Sequence, residues 1–296
     1  MKGLIFINPY LIPKESVYQA ERLKDEFIKL GVSVDIITDG FSRISLVGNG
    51  AKADLPAPDF GVYLDKDKYL SNVLSKGGLR LFNRHEAVRV CDDKAETYIA
   101  LCGKGIKFPK TVFGGLCYNA DLKVKEEWAD KIAGTLKYPV IVKESFGSMG
   151  KGVYKADNRE ELLSVMEKVK LKPHLYQEYI PYKKGVDVRV IVIGGHAVAA
   201  MERRNGDDFR SNVAQGGEGK KIELDEEFKV VAESCAKILR LDYCGVDLLY
   251  GENGEPIVCE VNSNAFFGGM ERVTGKNVAK AYAEHMYRSV YGEGNE

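Results

Sequence analysis

What this 296-residue sequence has little of narrows its chemistry first. It holds only four histidines, and no Ser-His-Asp or Cys-His set can be assembled from them on spacing. Six cysteines (Cys91, Cys102, Cys117, Cys235, Cys244, Cys259) are dispersed with no C-x-x-C pair. That argues against a zinc site or a disulfide frame and for reduced core thiols in a cytoplasmic chain. Neither sign of charge is in excess, with 43 basic and 43 acidic residues. Bulk attraction to nucleic acid or to a membrane surface is therefore not expected. No apolar run reaches membrane-spanning length. The apolar start Met1–Ile7 is broken by Asn8-Pro9 and Pro13 before it could form a signal-peptide core. There is no internal repeat and no low-complexity tract.

What is present centres on residues 244–264. Two apolar runs flank Asn253-Gly254, a strong hairpin signal when both residues take positive φ. That turn places Glu252 opposite Glu255, Asp247 opposite Glu260 and Gly245 opposite Asn262, with open space over the glycine. Asn262 shares a face with Glu260. Two carboxylates facing each other repel, so the pair calls for a cation, and a hard ion such as Mg²⁺ suits oxygen donors.

Before that hairpin the chain reads as β-α-β, the pattern of a parallel sheet. Strands are expected at 4–7, 32–37, 61–64 and 79–82, and helices at 15–30 and 68–74, with 40–58 as loop. The first turn, Asn8-Pro9-Tyr10, lacks a dinucleotide-binding glycine fingerprint. Asp65-Lys66-Asp67 reads as a charged helix start. Asp93 is a candidate N-cap with Glu96 completing a capping box, and Lys94 sits unfavourably at the positive end of the helix.

Farther on, 138–143 reads as a strand ending in Lys143, followed by a glycine-rich hairpin tip at 147–152. Its backbone N–H groups could cradle phosphate oxygens. The spacing is not that of a Walker A loop. A lysine whose stem is buried needs an anionic partner. Gly194-Gly195 as a two-residue turn would place Asp187 opposite Glu202, with Arg189 on the face of Asp187. His196 beside that turn reads as solvent-facing. The long loop 205–220 is of a kind that is usually functional, and Asp225 caps a helix with an apolar stripe.

The ordered set Asp93-Lys94, Val142-Lys143, the glycine loop, Gln177-Glu178-Tyr179-Ile180, Asp187-Val188-Arg189, Glu202-Arg203-Arg204, Asp208-Phe209-Arg210-Ser211-Asn212, Gly245-Val246-Asp247 and Glu260-Val261-Asn262 resembles the ATP-grasp superfamily. Within it the chain is similar to the RimK-type amino-acid (α-L-glutamate) ligases, over roughly residues 80–290. The resemblance implies an α/β (α+β) chain with the ATP-grasp fold and an N-terminal Rossmann-like pre-ATP-grasp subdomain at 1–90. A lid subdomain with the glycine loop would span 91–185, and a large subdomain with the metal site 186–296. It implies ATP and Mg²⁺ (or Mn²⁺) as cofactors. Lys94, Lys143, Gly147, Ser148, Met149 and Gly150 would hold phosphates. Gln177, Glu178, Tyr179, Ile180 and Leu249 would line the base, and Asp187 would hold the ribose. Arg203, Arg210 and Asn212 would lie near the γ-phosphate, with Arg203, Arg210 and Lys143 catalytic. Asp247, Glu260 and Asn262 would bind metal.

The implied reaction joins a carboxylate, activated as an acyl phosphate, to an amino-acid-type amine. The acceptor would be a small amino acid or the carboxylate of a peptide or protein, and related ligases form homodimers or homotetramers. The alternative is a non-catalytic ATP-binding module of the same fold. One departure stands out. The family commonly follows Glu-x-Asn with a small residue and Ser-Pro-Gly, whereas this chain has Ser263-Asn264-Ala265-Phe266-Phe267, so the acceptor is not carried over.

Overall fold

The computed structural model describes residues 1–10, 14–147, 150–206 and 218–292. The first sheet is parallel. It is built from β1 (Lys2–Ile7), β2 (Ser33–Ile37), β5 (Phe60–Leu64) and β6 (Leu81–Phe82), in the order β2-β1-β5-β6. Helix α1 (Lys14–Lys29) links the first pair and α2 (Lys68–Lys76) the last. The stretch expected as loop at 40–58 instead carries a small antiparallel hairpin, β3 (Ile44–Val47) on β4 (Gly50–Ala53). Both strands are largely exposed, so they bury no apolar face and leave no alternation to read.

Helices α3 (His85–Asp92) and α4 (Lys94–Leu101) lead to a second, four-stranded sheet. It contains β7 (Thr111–Phe113), β8 (Val140–Glu144), β9 (Val153–Ala156) and β10 (His174–Glu178), ordered β7-β10-β8-β9 and antiparallel throughout. Helices α5 (Glu126–Leu136) and α6 (Arg159–Val169) cover it.

A third sheet carries β11 (Val186–Ile193), β12 (His196–Arg204), β13 (Glu218–Lys221), β14 (Tyr243–Tyr250) and β15 (Pro256–Asn262), ordered β13-β12-β11-β14-β15. Alternate residues of this sheet enter two different cores. Val188, Val190, Val192, Cys244, Val246 and Leu248 pack with α7 (Glu226–Ile238). Ile191, Ile193, Ala199, Met201 and Tyr243 pack with the first sheet and with α9 (Val278–Tyr291). Burial on both faces explains why β11 reads as an almost unbroken apolar run. Phe267, just ahead of α8 (Gly268–Thr274), is fully buried in the same core as α9, while Phe266 is half-buried. Phe267 is thus a packing residue.

Two bulges set what faces what. Gly194 and Gly195 both take positive φ and pair Ile193 with His196, as expected of a two-residue turn. The register then slips by one near Ile191, so Asp187 lies opposite Arg203 and not Glu202. One extra residue moves every later side chain to the other face. Here it exchanges a carboxylate pair for an ion pair.

The second hairpin departs twice. Only Gly254 of the Asn253-Gly254 pair has positive φ. Gly254 N–H donates to the Gly251 carbonyl at 3.1 Å, and Gly251 pairs with Glu255 across three loop residues. A bulge at Cys259 restores the count, and Asp247 meets Glu260 while Gly245 meets Asn262. The expected pairing holds, but through two offsetting one-residue shifts. The Tyr98 hydroxyl of α4 donates to the Cys259 carbonyl at 2.5 Å, holding the bulge.

The space over Gly245 is not open. A Cβ there would lie 2.5 Å from Ala265 Cβ, so the glycine lets the segment after Asn262 fold back over the sheet. Gly245→Ala is expected to cost about 1–3 kcal/mol through overpacking, read as a lower urea midpoint. An unchanged midpoint would show that the segment moves aside freely.

Candidate active site

The site begins with a row of side chains across the third sheet. Arg189, Asp247 and Glu260 stand opposite one another on β11, β14 and β15, and Asp187 with Arg203 stand on the face of Arg189 and Asp247. That face is apolar at one end, where Ile191, Ile193 and Tyr243 enter the core, and charged at the other. Arg189 holds Asp247 through two bonds, Nε to Oδ1 at 2.7 Å and Nη2 to Oδ2 at 2.6 Å. Arg203 makes a two-pronged pair with Asp187 and reaches Asp247 Oδ2 at 2.9 Å.

Two arginines thus balance two aspartates. Burial disfavours the ionised Asp247, but the Arg189 and Arg203 guanidiniums outweigh it and hold the carboxyl below its usual range. Arg203 is 2% exposed, so its guanidinium is committed to these two acids.

Opposite this face, the second sheet supplies Lys143 and the first turn of α4 supplies Lys94. The Asp93 side chain caps α4, accepting from the N–H groups of Ala95 and Glu96. Glu96 does not complete the expected box, because its carboxylate takes Arg89. Lys94 is not solvated as a surface lysine would be. It is 9% exposed, and its amine donates to the Gly147 carbonyl at 2.8 Å and pairs with Glu260 at 3.4 Å.

Lys143 is 8% exposed, with its amine 3.8 Å from Cys259 Sγ. Burial alone would lower its pKa, yet Cys259, Tyr98 and Glu260 together raise it above the usual lysine value. Burial likewise opposes ionisation of Glu260, and the Lys94 ammonium, with Lys66 and Lys143 farther off, more than offsets it.

A cleft of ≈ 940 Å³, counted to its open mouth, lies between the two sheets. Lys94, Lys143, Gly147, Gly150, Gln177, Glu178, Tyr179, Ile180, Asp187, Asp247, Leu249 and Glu260 all line it. Five lysines (94, 143, 151, 183, 184) face four acids on its wall, a balance suited to a polyanion. Ile141, Val153, Ile180 and Leu249 give it apolar sides. The glycine loop has positive φ at Gly147, Gly150 and Gly152, a backbone that L side chains rarely adopt. Glu178 Oε1 accepts from Lys110 N–H at 2.8 Å. Gln177 donates to Thr111 Oγ1 at 2.9 Å.

Of the residues named from sequence, Ser148, Met149, Arg210 and Asn212 lie outside the described residues. Arg203 is not among the cleft-lining residues but braces two that are. Sequence reasoning left Arg189 and Cys259 without a role. Arg189 was visible as a neighbour of Asp187 on one face. Cys259 reaches the cleft only because of the bulge, for which the sequence carries no signal.

The donors fit a hard divalent cation. Among the described residues Glu260 has one ion-pair partner, Lys94. Asp247 lines the same cleft; Asn262 lies beyond Glu260 on the same strand and is not among the cleft-lining residues, and only its amide oxygen could meet a cation. No three His, Cys, Asp or Glu side chains form a cage among the described residues, but Mg²⁺ is ordinarily held by one or two carboxylates plus substrate phosphates.

Comparison with known proteins identifies the family. The family model of the RimK-like ATP-grasp domain matches residues 91–286. "Beta-citrylglutamate synthase B" of Danio rerio is 33% identical over 278 residues, 93% of this chain and 64% of that protein, so the chain spans less than two thirds of that relative's length. "Probable alpha-L-glutamate ligase" of Marinomonas sp. (strain MWYL1) is 30% identical over 293 residues and 93% of each chain. Among solved structures, D-alanine–D-alanine ligase from Bacillus anthracis complexed with ATP superposes with a TM-score of 0.72 at 19% identity, over 99% of this chain and 100% of that one. This likeness shows that the fold is shared.

Proposed function

Because the chain belongs to the RimK-like ATP-grasp family, we propose that it is an ATP-dependent ligase that joins a carboxylate to an amino-acid-type amine. The observation that carries this reading is the facing of two buried lysines, Lys94 and Lys143, against the Asp247–Glu260 pair across one cleft. In the proposed reaction a carboxylate oxygen attacks the γ-phosphorus of ATP and ADP leaves. The amine then attacks the acyl carbon, inorganic phosphate leaves, and the nitrogen gives up a proton as the amide forms.

Such chemistry is mostly alignment and neutralisation of charge. Lys143 and Lys94 sit where they would offset phosphate charge, and the backbone of the glycine loop would close over the phosphates and exclude water. Tyr179 and Ile180 would flank the base with Leu249, Gln177 and Glu178 would face its edge, and Asp187, braced by Arg203, would meet the ribose. Asp247, Glu260 and Asn262 would hold Mg²⁺ or Mn²⁺, which when bound would offset the negative charge of the phosphates.

The same reading divides the chain into a pre-ATP-grasp βαβ unit at 1–90, a lid at 91–185 and a metal-bearing unit at 186–296. Six free thiols favour a cytoplasmic setting, and family habit favours a homodimer or homotetramer. The acceptor is a small amino acid or a peptide or protein carboxylate, with the segment from Ser263 to Phe266 facing it.

The test is ADP release with pairs of candidate carboxylates and amines, followed by product mass. Amide formation with one ADP per bond supports the proposal. A phosphorylated product would indicate a kinase. ATP binding with no turnover across the panel would favour the non-catalytic module.

A further inference from the structure

A second pocket, of ≈ 410 Å³, shares no lining residue with the cleft. It sits over the first sheet at the carboxyl ends of three strands. Asn8 follows β1, Thr38 follows β2 and Asp65 follows β5. The order β2-β1-β5-β6 runs outward in both directions from between β1 and β5. In open parallel sheets the crevice outside the strand ends at such a reversal is where ligands bind.

The polar heart of this pocket is Asp65, 6% exposed. Asn8 Nδ2 donates to both of its oxygens at 3.2 and 3.1 Å, and the Lys66 backbone N–H donates to Oδ1 at 2.7 Å. These donors are neutral. The Lys66 amine pairs instead with Asp92 at 3.2 Å, and Asp65 forms no ion pair among the described residues. Burial pushes its carboxyl pKa up. A second acid, Asp67, lines the pocket while its Oδ1 caps α2.

Around the acids stand Leu70 and the rings of Tyr10 and Phe41. Those rings are 6.5 Å apart between centroids, and both residues are exposed.

Among the described residues the hydrogen-bond donors to Asp65 are all neutral, from Asn8 and from the Lys66 and Asp67 backbone, and a buried carboxylate without a counter-charge is costly. Two acids repel an anionic ligand. Aromatic faces attract cations, while the apolar wall disfavours a bare, strongly hydrated metal ion. The geometry points to a binding site for a primary ammonium group on an organic ligand, the amino group of a free amino acid or of a peptide terminus. The assignment goes beyond the ligase reading and needs no turnover to be tested.

The experiment is calorimetric titration of the full chain with free L-amino acids and short peptides, each beside its N-acetylated counterpart, and with ADP as a separate report on the cleft. Saturable binding is expected for the ammonium forms and is expected to weaken at least about tenfold on acetylation and in Asp65→Asn, as for loss of a charge-assisted hydrogen bond. Phe41→Ala, at an exposed ring, is expected to weaken it several-fold with an unchanged melting temperature. This keeps the test valid if Asp65→Asn folds poorly. ADP affinity should be the same in both variants.

Tighter binding of the free amino acids than of the peptides identifies the former as the ligand, and the reverse order identifies the latter. The inference is overturned if no ammonium probe saturates up to about 20 mM, a concentration that would reveal even millimolar affinity. It is also overturned if acetylated probes bind equally well, or if both variants bind like the parent. Loss of ADP binding would count against the ligase reading alone.

Discussion

Replacing Arg203 by Met is expected to lower the free energy of unfolding by about 3–5 kcal/mol, the scale for breaking one side of a buried ion pair. Arg203 pairs with Asp187 and Asp247, and all three side chains are 3–4% exposed. Taking away one guanidinium leaves a single arginine, Arg189, for two buried aspartates. The surface offers a control of similar chemistry. Arg159 pairs with Glu126 and Asp130, but side-chain exposure there runs from 36% to 71%, and solvent screening reduces such pairs to about 0–1 kcal/mol. Arg159→Met should therefore be close to neutral.

Urea unfolding of both variants decides the matter, and equal losses would refute the buried-network account. Charge arithmetic adds a sharper test. Asp187→Asn added to Arg203→Met restores balance, one arginine to one aspartate, so the double variant should be more stable than Arg203→Met. The network also sets an acid limit. The Asp247 pKa is depressed in the folded state, so its contribution is fully present above the ordinary carboxylate range and is lost as pH falls through the folded value.

The legible part of this molecule was what short-range rules control. Period-two alternation placed Asp187 with Arg189, and Glu260 with Asn262, on shared faces. Gly194-Gly195 and Asn253-Gly254 mark the two hairpins, and Asp93 and Asp225 mark helix starts that the structure retains. The illegible part was register. Bulges near Ile191 and at Cys259 depend on which neighbours a strand packs against, and nothing within either strand announces them. One bulge replaced an expected Asp187–Glu202 pair with Asp187–Arg203. The other carried Cys259 into the cleft. The hairpin β3–β4 was missed because it buries almost nothing, and the isolation of Asp65 was hidden because Asn8 is 57 residues away from it in the chain.

Lys143→Met is expected to do the opposite of Arg203→Met: turnover should fall by about 10²–10³-fold, the scale for losing one preorganised charge at a developing anion, while stability changes by about 1 kcal/mol or less. The two cations differ in what they touch. Arg203 is spent on protein carboxylates. Lys143 lines the cleft with its amine 3.8 Å from the Cys259 thiol, and among the described residues it forms no ion pair, so its removal strands no ion-paired partner there. Methionine also keeps the buried stem filled.

The surroundings of Lys143, Cys259, Tyr98 and Glu260 among them, favour its charged form despite burial. Its raised pKa keeps it charged throughout the neutral range, so its loss should depress the whole pH–rate profile and not shift one limb. ADP release measured against the thermal midpoint separates the outcomes. Full activity in Lys143→Met would remove this lysine from the reaction, and a collapse in stability would show it to be a second structural cation. Lys143→Arg should not rescue turnover. A guanidinium presents a planar fork where the strand end offers room for a point charge.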